Sequence, residues 1–249
     1  MRLPLLAIAL SGCTLLTEQR TDPTSVYWSG WVLADLPTQG TTPALDAGTV
    51  DFTDLDGNLI ASADQPYADS PGWWEVEVPI DTDVAVRVEG SPDSPSDLPA
   101  LAPMVWRGHT PDGRGVWLQG ALFARDLEWL DTFFSDLSSI GLHPGALADG
   151  EVAHLWGEPL DPDAWAGATI EVTGDDGQPA QVLTFTVDDD GAMTEARGGR
   201  VDIFLAINLP PGITSLHVEA VDRSPLDVTW PTRGGDLLSA VYIALPEND

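Results

Sequence analysis

Apolar and polar residues alternate with a period of two along most of this chain. Val50 and Phe52 alternate with Thr49, Asp51 and Thr53, and Trp74, Val76 and Val78 alternate with Glu75 and Glu77. Further on, Leu183, Phe185 and Val187 alternate with Thr184 and Thr186, and Leu216, Val218 and Ala220 with His217 and Glu219. This pattern predicts strands with one face in a core and one in water. Turn signals separate the runs at Asp56-Gly57, Ser70-Pro71-Gly72, Asp112-Gly113, Asp176-Gly177, Asp190-Gly191 and Pro210-Pro211-Gly212. One stretch has a different period. Phe123, Leu127, Leu130, Phe134 and Leu137 recur at helical spacing, with Trp129 and Phe133 widening the stripe. They predict an amphipathic helix over Phe123–Leu137, with Asp126, Glu128, Asp131 and Asp136 outside the stripe and Gly141 as its stop.

A longer regularity overlies the short one. Residues 30–57 align with 150–177 at a constant offset of 120. Gly30-Trp31-Val32 falls on Gly150-Glu151-Val152, Thr49–Thr53 on Thr169–Thr173, and Asp56-Gly57 on Asp176-Gly177. After one dropped residue, Pro71-Gly72 meets Asp190-Gly191, and Val84, Val86 and Val88 meet Ile203, Leu205 and Ile207. The chain reads as two copies of one β unit. The expected fold is all-β, with two tandem antiparallel β-sandwiches and one short amphipathic helix connecting them. The expected boundaries are 26–120 for the first sandwich, 121–141 for the helical connector and 142–249 for the second sandwich.

The residues that carry this repeat resemble the carboxypeptidase-regulatory-like, or transthyretin-like (prealbumin-like), β-sandwich. In the first copy these are Gly30/Val32, Thr49 to Gly57, Gly72-Trp73-Trp74 and Val78-Pro79. In the second they are Gly150/Val152, Gly167-Ala168-Thr169 to Gly177, and Gly191. The second copy departs from the pattern, having Met193 to Arg197 where an aromatic strand and Val-Pro would stand. The resemblance implies a seven-stranded accessory module without catalytic residues.

Composition narrows the function classes. Ten basic residues, all Arg, face 40 acidic ones for a net charge of −30. That balance excludes ordinary nucleic-acid binding and a lysine-rich membrane patch. Ten Trp and 43% hydrophobic residues exclude disorder. At the N-terminus, Met1-Arg2 precedes an apolar run, Leu3 to Leu10, too short to span a bilayer. Leu10-Ser11-Gly12-Cys13 resembles the lipobox of bacterial lipoproteins, which implies lipidation of Cys13, the only cysteine. Residues 1–13 then read as a signal segment and 14–25 as a tether to a bacterial membrane, outer membrane or cell surface. An acyl anchor of this kind needs two chains for stable attachment.

Four sets of candidate functional residues follow, each with a structural alternative. Asp54, Asp56, Asp175, Asp176, Asp188 and Asp190 sit beside glycines and offer oxygens to Ca²⁺, but Asp-Gly is also the preferred hairpin turn. No other cofactor is expected. Trp73 shares the solvent phase of Glu75 and Glu77, where an indole stacks on a sugar or is covered by another element. Trp106, Arg107, His109, Arg114 and Trp117 gather cations and aromatics in twelve residues, either for an anionic ligand or as a hairpin neutralising nearby aspartates. The helix residues Phe123, Leu127, Trp129, Leu130 and Phe134 either pack between the sandwiches or dock an envelope protein. No G-x-S-x-G elbow or H-E-x-x-H motif is present. A glycosidase-type acid pair cannot be picked out among 40 acids. The expected function is therefore a non-catalytic binding or scaffolding module toward an envelope protein. A surface carbohydrate-binding module is the alternative, and an enzyme with an unidentified carboxylate pair is the weakest.

Overall fold

The computed structural model describes residues 24–36, 39–45, 47–64, 70–90, 98–110, 116–138, 141–188, 193–196 and 198–247; for 64, 116–121, 123 and 242 the backbone alone is described. The protein is all-β, with one α-helix among the described residues. The strands of the first half are β1 (Ser25–Asp35), β2 (Gly48–Thr53), β3 (Leu59–Asp64), β4 (Trp73–Pro79), β5 (Asp83–Gly90), β6 (Leu101–Ala102), β7 (Met104–His109) and β8 (Val116–Asp126). Helix α1 (Leu127–Ser138) follows. The second half contributes β9 (Ala153–Pro159), β10 (Thr169–Thr173), β11 (Gln181–Val187), β12 (Met193–Glu195), β13 (Ile203–Leu209), β14 (Gly212–Glu219), β15 (Leu226–Thr232) and β16 (Leu237–Ile243).

The strands form three sheets, ordered β4-β1-β8-β6, β10-β14-β15 and β12-β11-β13-β9-β16-β7-β5-β2-β3. The nine-stranded sheet crosses from one half to the other where β16 pairs in parallel with β7, Leu237 to Ser239 against Met104 to Trp106. A buried ion pair lies at this seam. Arg87 Nε donates to Asp236 Oδ1 at 2.9 Å, with Asp236 1% exposed, and Asp236 Oδ2 accepts the Arg233 N–H at 2.8 Å. Burial raises the Asp236 carboxyl above its ordinary range, while Arg87 pulls it down.

The two smaller sheets lie on opposite faces of the large one. Sheet β4-β1-β8 packs Val26, Trp28, Trp74 and Val76 on Phe52, Val84, Val86 and Val88. Trp28, Phe52 and Trp74 meet at centroid distances of 5.3 to 6.0 Å in tilted and edge-on contacts, each such pair adding about 1 kcal/mol beyond its buried area. On the other face, β10-β14-β15 packs Val172, Leu216, Val218 and Trp230 on Leu155, Phe204, Ala206 and Leu238, and Ala85 and Val105 of the first half join that core. Helix α1 shares the side of β4-β1-β8 and seats Leu130, Phe134 and Leu137 on Trp156, Leu205, Ile207 and Leu237. As a result β9 and β13 are buried on both faces, and Ala153-His154-Leu155-Trp156 and Phe204-Leu205-Ala206-Ile207 read as unbroken runs. Gly157 is required in β9 because a Cβ there would lie 2.0 Å from the Phe204 ring.

Three sequence expectations need correction. The helix begins at Leu127, not Phe123, because the segment through Asp126 is held in β8 by parallel pairing to β1, Leu33 against Phe123 and Asp35 against Arg125. Asp126 caps the helix, its Oδ1 accepting the N–H groups of Glu128 (3.0 Å) and Trp129 (3.2 Å). Gly141, at φ +89°, lies just past the helix end as expected. Second, β1 begins at Ser25, one residue before the expected start of the first sandwich; residues 14–23 of the expected tether lie outside the described residues. Third, the repeat is real in topology but misaligned at two strands. β1 is antiparallel to β4 and parallel to β8; β9 is antiparallel to β13 and parallel to β16. Likewise β2-β5-β7 corresponds to β10-β14-β15. The counterpart of β5 is therefore β14, with Leu216 and Val218 in the core, and the counterpart of β13 is β4. The β11–β12 hairpin, which adds to β13 in the large sheet, displaced the alignment. Gly30 lies inside β1, whereas Gly150 (φ +66°) is a turn before β9, so their match is local.

Candidate functional site

The outer face of β4-β1 carries three cross-strand rungs: Trp31 opposite Trp73, Ser29 opposite Glu75, and Tyr27 opposite Glu77. Strand phase sends Trp28 into the core and Trp31, three residues on, to the other face. Trp31 is 42% exposed and Trp73 half-buried; their rings meet edge to face at 5.2 Å and 75°. Glu75 is exposed, and the Ser25 hydroxyl donates to Glu77 Oε1 at 2.6 Å. Sequence reading placed Trp73 on this face but missed Trp31. The odd spacing of Trp28 and Trp31 was the available signal.

The segment from Trp106 places its described cations beside aspartates. Trp106 is half-buried and packs between two cores. Arg107 and His109 share a face, as their phase required, but both meet Asp83: Arg107 Nη2 at 3.9 Å and His109 Nδ1 at 2.8 Å. His109 Nε2 meets Asp81 at 3.0 Å. Hydrogen bonds donated to Asp83 and then to Asp81 raise the His109 pKa, and burial lowers that of Arg107. The aspartates neutralise the cations, so an anion gains little there. Arg114 lies outside the described residues. Trp117 is in β8 opposite Trp28, and nothing of its side chain is described.

The acidic turns hold themselves together. Asp54 Oδ1 accepts the Asp56 and Asn58 N–H groups at 3.0 and 2.8 Å, and its Oδ2 accepts from Asn58 Nδ2 at 2.9 Å. The Asn58 side-chain bond leads in lowering the Asp54 pKa. Asp176 Oδ1 accepts the Gln178 N–H in the corresponding second-half turn, and Asp175 Oδ1 accepts that of Ile213. Asp188 is exposed at the end of β11, and Asp190 lies outside the described residues. Among the described residues, no three His, Cys, Asp or Glu side chains come together as metal ligands.

Leu130 and Phe134, offered above as a docking face, are buried against the large sheet. Trp129 stacks on Phe133 at 5.8 Å, and Arg125 lies 5.5 Å from the Trp129 ring and 5.1 Å from that of Trp156. Leu127 is half-buried, and Phe123 is a β8 residue whose side chain is not described. Cys13 lies outside the described residues.

Three of the four histidines are engaged within the protein. In His109 and His217 both ring nitrogens meet carboxylates, Asp227 at 2.7 Å and Glu219 at 3.4 Å for His217, so neither offers a nitrogen to a substrate. His154 is fully buried: its Nε2–H donates to Gly145 O at 2.9 Å and its Nδ1 accepts the Asn208 N–H at 3.1 Å. Burial pushes its pKa down to about 4, so it is neutral. Asn208, at φ +60°, completes a structural network by bonding Gly145 N–H and His143 O.

No protein-family model matches the chain, and no curated relative matches it. Solved structures give distant likenesses. The Bacillus anthracis TIE protein aligns at TM-score 0.29 and 7% identity over 88% of this chain and 34% of its own, so the chain spans about a third of that protein. The Streptococcus agalactiae minor pilin GBS52 aligns at 0.23 and 11% identity over 90% and 97% of the two chains. A putative adhesin from Bacteroides ovatus aligns at 0.24 and 12% over 96% and 99%. Likeness at this level does not bear on what the chain binds.

Proposed function

We propose that this chain is a non-catalytic binding module displayed at a bacterial cell envelope, held there by a lipid on Cys13, with the outer face of β4-β1-β8 as its working surface. One observation carries the choice of surface: Trp31 and Trp73 form an aromatic pair on the outer sheet face, Trp31 42% exposed and Glu75 exposed on the adjacent rung. The helix, the main competitor as a docking element, spends its apolar stripe on the protein's own core. Three of the four histidines, His109, His154 and His217, have their ring nitrogens engaged internally, which is in keeping with a binding role. The repeated strand order, β4-β1-β8 over β3-β2-β5-β7 and β13-β9-β16 over β10-β14-β15, supports two transthyretin-like accessory units. The envelope address rests on the residues around Cys13.

The test uses the detergent-solubilised full chain on washed bacterial envelope fragments. Retention should fall at least tenfold in Trp31→Ala with Trp73→Ala, and stay unchanged in an Asp54→Ala control. Unchanged retention in the Trp variant overturns this surface. Separately, Cys13→Ser should move the protein from the membrane to the soluble fraction; persistence in the membrane ends the lipid reading.

A further inference from the structure

The Trp31–Trp73 face also indicates the chemistry of its ligand. The indoles stand at 75° to one another, so they make a corner one ring deep and not a broad flat platform. The next rung already carries the exposed carboxylate Glu75 and the one after it Glu77. A stable protein interface buries about 800 Å² on each partner around a core depleted of charge. Two rings bordered by carboxylates do not provide such a core. They do match a sugar ring, whose C–H face packs on an indole while its hydroxyls donate to a neighbouring carboxylate. The net charge of −30 and the adjacent acids repel uronates and other acidic sugars, while an amino group is attracted both by the carboxylates and by the indole faces.

We propose that Trp31 and Trp73 bind a glycan free of acidic groups by stacking, with Glu75 accepting hydrogen bonds from its hydroxyl or ammonium groups. This rests on the reading of the same face as the binding surface. Glu75 acts as a filter as well as an acceptor: it favours amine-bearing over neutral sugars and both over acidic ones.

The experiment measures retention of the detergent-solubilised full chain on cellulose, chitosan and pectate. Retention on chitosan and cellulose should exceed that on pectate at least tenfold. Trp31→Ala and Trp73→Ala should each remove about tenfold, and Glu75→Gln should narrow the chitosan-to-pectate ratio. Matching circular dichroism and melting curves establish that the variants are folded. Equal or stronger retention on pectate overturns the proposal, as does retention indifferent to both Trp variants, or none on any of the three. Trp-dependent retention on envelope fragments without retention on these polysaccharides would sink the glycan but leave the surface. If protease treatment of the fragments then abolishes it, the partner is a protein.

Discussion

The strand trio β4-β1-β8 of the first half and its counterpart β13-β9-β16 of the second have the same order and directions, yet opposite outer faces. In the second half α1 covers that face, and Trp156, Leu205, Ile207 and Leu237 form a core with Leu130 and Phe134. In the first half the equivalent face carries Trp31, Trp73, Glu75 and Glu77 toward solvent. One architecture thus carries two kinds of outer face, one packed under α1 and one bearing exposed Trp31 and Glu75. The covered copy shows what apolar residues on this face do when they are structural. The open copy keeps two indoles there, with Trp31 42% exposed.

The largest expected effect lies under the helix. Phe134→Ala should cost about 4 kcal/mol through the cavity it leaves, whereas Trp31→Ala should cost under about 1 kcal/mol, chiefly its ring contact with Trp73. Urea unfolding of both variants checks this, and equal losses would erase the distinction between the covered and open faces. The seam between the halves comes next. Asp236→Ala leaves Arg87, itself 13% exposed, without its buried partner, and should cost about 3 kcal/mol. An unchanged melting curve would show that the halves do not depend on this pair.

The smallest of the three effects depends on pH and belongs to the covered copy. His154 has a folded pKa of about 4 against an ordinary 6.5. The unfolded chain therefore binds a proton between these values that the folded chain refuses. Stability from this group is complete above pH 6.5 and falls as pH drops toward 4, by about 2 kcal/mol at pH 5. His109 and His217 have the opposite sign: their raised values give stabilisation present below 6.5 and lost as pH rises through the folded values, and it is small because both are exposed to screening. Melting temperatures of wild type and His154→Gln between pH 7 and 5 should converge at the acid end. Parallel curves would remove His154 as the source.

Much of the fold was legible where one face is wet. Trp74-Glu75-Val76-Glu77-Val78 alternates in sequence and in burial alike, and Thr49–Thr53 and Thr169–Thr173 align as β2 and β10 with matching turns behind them. Legibility failed where both faces are dry. Ala153-His154-Leu155-Trp156 shows no alternation because its two covers, β10-β14-β15 and α1, come from distant parts of the chain. The same limit applied to the site. Trp73 could be assigned to a solvent phase, but Trp106 could not be recognised as filling the join between two cores.

By itself the sequence determined the all-β class, the duplication, the turns at Asp56-Gly57 and Asp176-Gly177 and the existence of a helix, because these follow from short-range periodicity and from backbone preferences of Gly, Pro and Asp. Only the tertiary structure decided that β7 and β16 join two sheets into one, that β11 extends the large sheet, and that α1 packs on the outer face of the second copy. The physical reason is that alternation fixes which side chains share a face but not what lies against it. Backbone ladders carry no side-chain signature of their partner, and the cover is supplied by residues far away in the chain.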